Sequence, residues 1–405
     1  MSRRSSIDLG AICKSARRLA RHPWIFSKLA KLQAEKTAFG IFNPRAADGL
    51  AGRIHQLSIR ITDICNLRCH TCGQWGDNGF LRGQELGRLK RQEVSPGRYR
   101  ELLNDLTAHG HQPNVYLWGG EPMLYPGALE VIEHATGLGL PCSVASNGHR
   151  VAPAAERLAA APLFLMQLSI DGHDRATHNR ARPAAGRGGD AFGDIEAALE
   201  ALHAARQRHG HGLPLIASLT VISRANLEHL ADIYRAFSSR VDLMVFYLGW
   251  WITPERAEAH QADFARRFGF APRLHRGWLG RWQPGSMEVL ADQVARLKEL
   301  SRPFKATPVT FIPGLTEPRD LARYYGDHAA RFGFDQCISI FQVAELDSNG
   351  DLSPCRDYHD YVVGNVQDQT ISQLWNSAGF RRFRRSLHNE GLMPVCSRCC
   401  GLMGY

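Results

Sequence analysis

The chain has 405 residues, is 44% hydrophobic and 22% charged, and carries a formal net charge of +10. That length and composition describe a folded protein with one large core and a smaller appendage, and they exclude a disordered or fibrous chain. No stretch reaches the roughly 18 to 20 consecutive apolar residues of a membrane helix, and the N-terminus lacks an apolar secretory run, so a cytoplasmic location is expected.

In chain order, the first segment holds most of the charge. Residues 1–36 carry nine Lys or Arg (Arg3, Arg4, Lys14, Arg17, Arg18, Arg21, Lys28, Lys31, Lys36) against Asp8 and Glu35, which is +7 of the +10. The rest is nearly neutral, so no nucleic-acid partner is expected. Leu19, Trp24, Ile25, Leu29 and Leu32 interrupt the basic run. A basic helical extension over 1–53 is expected, packed on the main body through its apolar face or docked on an anionic membrane surface or a leader peptide.

From Gln56 to Leu248, apolar strand-like runs (57–61, 114–118, 141–145, 164–170, 215–222, 241–248) alternate with helix-like intervals (94–108, 127–137, 153–160, 190–207, 226–238). This is the pattern of a parallel α/β fold with right-handed crossovers. Six units are too few to close an eight-unit barrel. Residues 251–334 lose the alternation and read as a helical bridge or lid broken by Pro and Gly, and 335–405 read as a second small module.

Cysteines mark the two ends of this organisation. Cys65, Cys69 and Cys72 follow the first strand, and Cys337, Cys355, Cys396, Cys399 and Cys400 lie in the last module. Clusters of this kind in a long chain point to metal ligation in a reducing compartment. Cys13 and Cys142 stand apart as ordinary thiols. Three thiolates, unlike a closed four-ligand site, leave one iron of a cubane cluster open to a small molecule.

The second strand ends in Gly119-Gly120-Glu121-Pro122, where glycines permit close backbone approach and a carboxylate can accept from an amine. The third ends in Ser146-Asn147-Gly148 and the fourth in Ser169-Ile170-Asp171-Gly172. His178-Asn179-Arg180-Ala181-Arg182 follows. Each alone is also a plain turn, helix cap or surface arginine. Trp250-Trp251 close the sixth strand, as barrel-plugging core or as a substrate platform.

The C-x3-C-x2-C spacing of Cys65, Cys69 and Cys72, with these strand ends behind it, resembles the radical S-adenosylmethionine (SAM) superfamily. The resemblance implies an open (β/α)6 barrel over 54–250, with a 4Fe-4S cluster on the three cysteines chelating SAM. It implies that Glu121 and the Gly119 and Gly120 backbones meet the methionine amino group. Asn147 belongs to the same cofactor shell, Ser169, ahead of Asp171, contacts the ribose, and Arg182 reaches the SAM carboxylate, with Arg180 as its substitute. Thr71 departs from the aromatic that often holds the adenine.

In the last module, Cys337 and Cys355 flank a turn at Asp347-Ser348-Asn349-Gly350, consistent with a hairpin that brings both thiols to one end. With Cys396 and Cys399 they make a four-thiolate set, and Cys400 is an alternative to Cys399. The set resembles the SPASM and twitch domains, a small α+β fold, and matches a single auxiliary 4Fe-4S cluster. A structural zinc has comparable spacing. Asp357 and Tyr358 stand close enough in sequence to deprotonate a substrate radical, or to cap a turn. Arg381, Arg382, Arg384 and Arg385 read as a solvated helix face.

These features together imply a radical SAM enzyme that abstracts hydrogen from substrate carbon, with a reducing protein such as flavodoxin or ferredoxin as electron donor. Oxidation of an alcohol on a small polar substrate is the leading expectation. A peptide maturase or epimerase is the alternative, and a non-catalytic iron-sulfur protein is the reading from another class.

Overall fold

The computed structural model describes residues 46–280 and 284–403, together with Ser27 and Ala34; the side chains of Ala46 and Cys400 are outside that description. The expected basic helix of the N-terminus and Cys13 also fall outside the described residues. One ten-stranded sheet organises the molecule, in the order β10-β9-β8-β1-β2-β3-β4-β5-β6-β7. The strands are β1 (Gln56–Thr62), β2 (Asn114–Gly119), β3 (Cys142–Ser146), β4 (Leu165–Ser169), β5 (Leu215–Ile222), β6 (Leu243–Leu248), β7 (Val309–Ile312), β8 (Val343–Leu346), β9 (Asp351–Ser353) and β10 (Gly364–Asn365). From β8 through β7 all neighbours are parallel, and β9 and β10 are antiparallel additions.

The first six strands fall where the apolar alternation puts them, and the fold is a partial (β/α)6 barrel with a small C-terminal cluster module. Two features go beyond the expected pattern. The bridge is not purely helical: Val309–Ile312 pairs with β6 as a seventh parallel strand. The strand is only four residues long and is bracketed by Pro308 and Pro313, so its apolar run is too short to stand out by periodicity. The C-terminal module is also continuous with the barrel sheet, because β8 pairs with β1.

The helices form for local reasons. Helix α1 (Pro96–Ala108) begins where Ser95 accepts the Arg98 amide at 3.2 Å with Pro at its first turn, and it buries Tyr99, Leu102, Leu103 and Leu106. Helix α2 (Arg175–Ala181) is capped by Asp174, helix α3 (Ala191–His209) by Asp190 and helix α4 (Pro254–Phe268) by Thr253. No helix among the described residues is long and apolar enough to cross a membrane.

Register decides which side chains face the barrel interior. Leu57, Ile59 and Ile61 of β1 belong to the apolar core. The alternate residues are Ser58 and Arg60, level with Tyr116 and Trp118 of β2, and Ser58 is also level with Glu345 of β8. Across the sheet, Ser169, Leu219 and Val245 share one face with Val221 and Tyr247. The interior face is therefore markedly polar on the β8 side and more apolar toward β6.

One arginine of the C-terminal helix α5 (Ala378–Glu390) corrects the expected solvated face. Arg384 is wholly buried, donates to Ile340 O (2.8 Å), Gly49 O (3.2 Å) and Asn376 Oδ1 (3.0 Å), and stacks over Trp375 and Phe380. Its planar guanidinium satisfies carbonyls while its faces lie on aromatic rings, an arrangement that charge patterning cannot distinguish from a solvated position.

Candidate active site

The loop leaving β1 holds Cys65, Cys69 and Cys72, and none of them is in a disulfide. Its backbone is pinned from several sides. Arg68 N donates to Pro183 O at 2.7 Å, while the Arg68 guanidinium bonds Cys65 O and Leu67 O and lies over the Trp75 ring at 4.2 Å. Trp75 Nε1 in turn donates to Asp63 O at 2.7 Å. The sulfurs receive amide donors: Leu67 N to Cys65 Sγ, and Gln74 N and Trp75 N to Cys72 Sγ, each at 3.4 Å. Amide donors of this kind offset negative charge on a thiolate-bound iron cluster.

The two glycines after β2 serve this loop. Gly120 N donates to Thr62 O and Glu121 N to Ile64 O, both at 2.8 Å, and a Cβ on either glycine would run into those loop carbonyls. Gly119 also adopts φ +137°. Glu121 is also engaged by the protein itself. Its side chain is wholly buried and its oxygens accept from Met123 N (3.0 Å), Ser146 Oγ (2.8 Å) and Asn147 N (2.7 Å). Burial raises its carboxyl to about 7. The carboxylate is a strut between the ends of β2 and β3, held by three protein donors.

Asn147 completes that strut: its Nδ2 donates to Asn66 Oδ1 at 2.8 Å and approaches Cys65 Sγ at 3.9 Å. Ser169 ends β4 on the interior face. Asp171 is buried, accepting from Val221 N at 2.7 Å and pairing with Arg182 Nε at 2.8 Å. Arg182 Nη1 extends to Cys69 Sγ at 3.7 Å. Arg182 is thus engaged beside the cysteines, whereas Arg180 lines the neighbouring cavity and donates to Ala225 O at 3.1 Å.

That cavity, about 830 Å³, is lined by His70, Thr71, Cys72 and Asp171 together with Val221, Tyr247, Trp250, Trp251 and Trp278. Its size sits high in the range for small-molecule sites, as room for two ligands side by side requires. Trp250 stacks on Trp278 with centroids 3.9 Å apart. Both Trp250 and Trp251 therefore face the cavity. Trp278 had no sequence signal, because it lies in the bridge, where no motif speaks.

The second cysteine group forms around the β8-β9 hairpin. Gly350, at φ +91°, closes the expected turn, with its N–H donating to Asp347 O at 3.0 Å. Cys337, Cys355 and Cys396 lie within electrostatic reach of one another, and burial pushes Cys337 to about 11 and Cys396 to about 12. Such thiols stay protonated unless a cationic group holds them as thiolates. Backbone amides of Ser339 and Ile340 donate to Cys337, and that of Tyr358 to Cys355.

Asp357 and Tyr358 lie beside the C-terminal cysteines. Tyr358 is 3% exposed and donates to Val395 O (3.2 Å) and Arg398 O (3.4 Å), and Asp357 Oδ2 accepts from Cys399 Sγ at 3.2 Å. Both are parts of the C-terminal cysteine site, and neither lines the cavity.

Both cysteine groups fit iron clusters better than single ions. A lone zinc about 2.3 Å from each thiolate would draw the sulfurs to about 3.8 Å. Among the described residues, neither cysteine group brings three ligand atoms within 4.8 Å of one another. Cys65, Cys69 and Cys72 would hold the SAM-binding cluster, and Cys337, Cys355, Cys396 and Cys399 the auxiliary one.

Comparison with known proteins agrees. Residues 59–237 match the radical SAM superfamily and residues 337–400 match an iron-sulfur cluster-binding domain, SPASM. The AdoMet-dependent heme synthase of Methanosarcina barkeri is 25% identical over 348 residues, covering 83% of this chain and 86% of that one. The pre-heme d1 synthase of Dinoroseobacter shibae is 26% identical over 363 residues, covering 84% and 79%. Among solved structures, Streptococcus suis SuiB bound to S-adenosylmethionine superposes with a TM-score of 0.58 at 13% identity, covering 85% of this chain and 70% of that one.

Proposed function

We propose, from the premise that this chain belongs to the radical SAM superfamily and carries a C-terminal SPASM-type domain, that it oxidises a substrate with a planar, largely apolar part at a carbon held in the cavity beside Cys72. When bound, the cluster on Cys65, Cys69 and Cys72 and its SAM supply a 5′-deoxyadenosyl radical that takes a hydrogen atom from substrate carbon, and the auxiliary cluster supplies an acceptor for the second electron. The chain's own residues position the partners. Glu121 and Asn147 fix the loop that presents the cysteines. Asp171 and Arg182 fix the floor beside Cys69, and Arg180 and Ser169 are placed for polar groups of SAM.

The observation that carries the substrate class is the tryptophan lining of the cavity that Cys72 also lines, where the stacked Trp250 and Trp278 offer an apolar surface. This favours a bulkier, more apolar substrate than the small polar alcohol expected from the sequence. The names of the relatives, heme synthase and pre-heme d1 synthase, point the same way. We therefore propose a tetrapyrrole-type substrate.

The test is 5′-deoxyadenosine formation by the anaerobic, reduced, reconstituted enzyme, with a metalloporphyrin bearing carboxylate side chains, a polyhydroxylated cyclitol or a peptide fraction added separately. Stimulation by the porphyrin alone supports the reading. Stimulation by the cyclitol or by peptide alone overturns it in favour of the small-alcohol or maturase alternative.

A further inference from the structure

We propose that His173, His229 and Asp232 form a binding site for a zinc-class divalent cation on the rim of the barrel, bracing the two loops that follow β4 and β5. One ligand atom from each of the three lies within 4.8 Å of the others, and among the described residues this is the group of histidine, cysteine and carboxylate side chains that meets that spacing. His173 follows Asp171-Gly172 at the end of β4, whereas His229 and Asp232 follow Val221–Asn226 at the end of β5. The site joins segments that are far apart in sequence, and both contribute walls to the cavity through Asp171, Arg180 and Val221.

The contacts around the three residues orient them as ligands. His173 Nε2 is 3.3 Å from Asp174 Oδ2, and Asp174 is itself fixed by accepting the Thr177 amide at 2.7 Å. A proton on Nε2 facing that carboxylate leaves the lone pair on Nδ1. That Nδ1 is fully buried and has no hydrogen-bond partner among the described residues. A carboxylate behind a ligating imidazole is the usual device for setting its tautomer. Asp232 is arranged similarly: Arg235 Nη1 holds Oδ1 at 2.8 Å, while Oδ2 lies 3.3 Å from His229 Nδ1. Two ligand atoms about 2.1 Å from a tetrahedral ion stand roughly 3.4 Å apart, so a cation fits between them.

The imidazole centroids of His173 and His229 are 4.7 Å apart, with the ring planes tilted by 38°. Two imidazoles and a carboxylate suit zinc, nickel or cobalt rather than magnesium or calcium. All three side chains are partly exposed, His173 by 26%, His229 by 37% and Asp232 by 43%, which leaves the fourth position to water. A bound ion would satisfy the buried Nδ1 and tie the two loops together. Arg235 opposes binding by its charge, so a moderate affinity is expected.

The test uses the holoenzyme with both clusters in place. Equimolar zinc chloride is added anaerobically, the protein is passed through a desalting column, and zinc and iron are counted per chain by mass spectrometry. The wild type should retain about one zinc, and H173A/H229A at least tenfold less at unchanged iron. Asp232→Asn, which keeps the side-chain shape, should also lose retention and serves if the double variant fails to fold. Zinc should slow hydrogen exchange in 171–182 and 223–232 of the wild type only. Equal zinc on wild type and variants would mean an adventitious ion, and no zinc on the wild type would mean no site; either result overturns the proposal.

Discussion

Arg182 Nε lies 2.8 Å from Asp171 Oδ2, and the same guanidinium reaches Cys69 Sγ at 3.7 Å. Burial raises the Asp171 carboxyl even though Arg182 pulls the other way, while against its own burial Arg182 is raised by attraction to Asp171 and Cys69. Removing one partner strands the other. Arg182→Ala should cost about 3–5 kcal/mol, whereas the double replacement of Asp171 by Asn and Arg182 by Met should cost clearly less. Anaerobic denaturant titration of the wild type and these two variants measures both. Equal losses in the single and double variants would show that the charges are not coupled.

Glu345 predicts a pH dependence. Burial pushes its carboxyl up to about 7, with Arg356 and Ser58 pulling the opposite way, whereas in the unfolded chain it titrates near 4.3. Between those values the folded protein holds a proton that the unfolded chain does not. The contribution is fully present below about pH 4.3 and is lost as pH rises through about 7. Stability measured by anaerobic denaturation should therefore fall between about pH 4.3 and 7, by up to ~1.4 kcal/mol per unit from this group, and level off above. Glu345→Gln should remove this group's share of the slope and leave that of Glu121 and Asp347, whose carboxyls burial also raises to about 7; an identical pH profile in the variant would assign it elsewhere.

What the sequence disclosed and what it hid divide along physical lines. Cys65, Cys69 and Cys72, and the strand ends from Gly119 to Asp171, were legible because spacing and local alternation are written into neighbouring residues. Arg60 was not. In an alternating strand it reads as an outward polar residue, yet closure of the sheet turns that face inward, against Asp347 and His359. Glu121 shows the same limit: the motif locates the carboxylate, but only folding shows that Ser146 and Asn147 donate to it. Trp278 and β7 depend on long-range packing of a segment without periodicity.

The segment that carries Trp278 should behave as a fitted cover over the first cysteine loop. Gly277 packs against Gly73 O and Phe80, and a Cβ on Gly73 would enter the Trp278 ring. Leu279 O accepts from Asn78 Nδ2 at 2.9 Å, and Ile252 N donates to Trp278 O at 2.9 Å. Gly277→Ala should lift this cover, costing about 1–3 kcal/mol by overpacking. Hydrogen exchange should speed up in both 274–280 and 73–80. Speeding in one segment alone would show that the two do not move together.

The last prediction concerns how the two cysteine sites are held in register. Arg60 reaches Asp63 Oδ1 at 3.2 Å, Asp347 Oδ2 at 3.1 Å and His359 Nε2 at 3.1 Å, and Ser348 Oγ donates to Asp63 Oδ2 at 2.8 Å. One guanidinium thus joins the loop before Cys65 to the hairpin before Cys355. A lysine keeps the charge but not the planar fork, and a methionine leaves Asp63 and Asp347 facing each other without a cation. Burial keeps His359 low, at about 3, so it is neutral and cannot replace that charge. Arg60→Met should cost about 3–5 kcal/mol, with Arg60→Lys intermediate. Both should speed hydrogen exchange in 343–353 while the three cysteines of the first loop still bind iron. Unchanged exchange in that hairpin would show that β8 pairing with β1 suffices to hold the module, and that Arg60 serves the first loop alone.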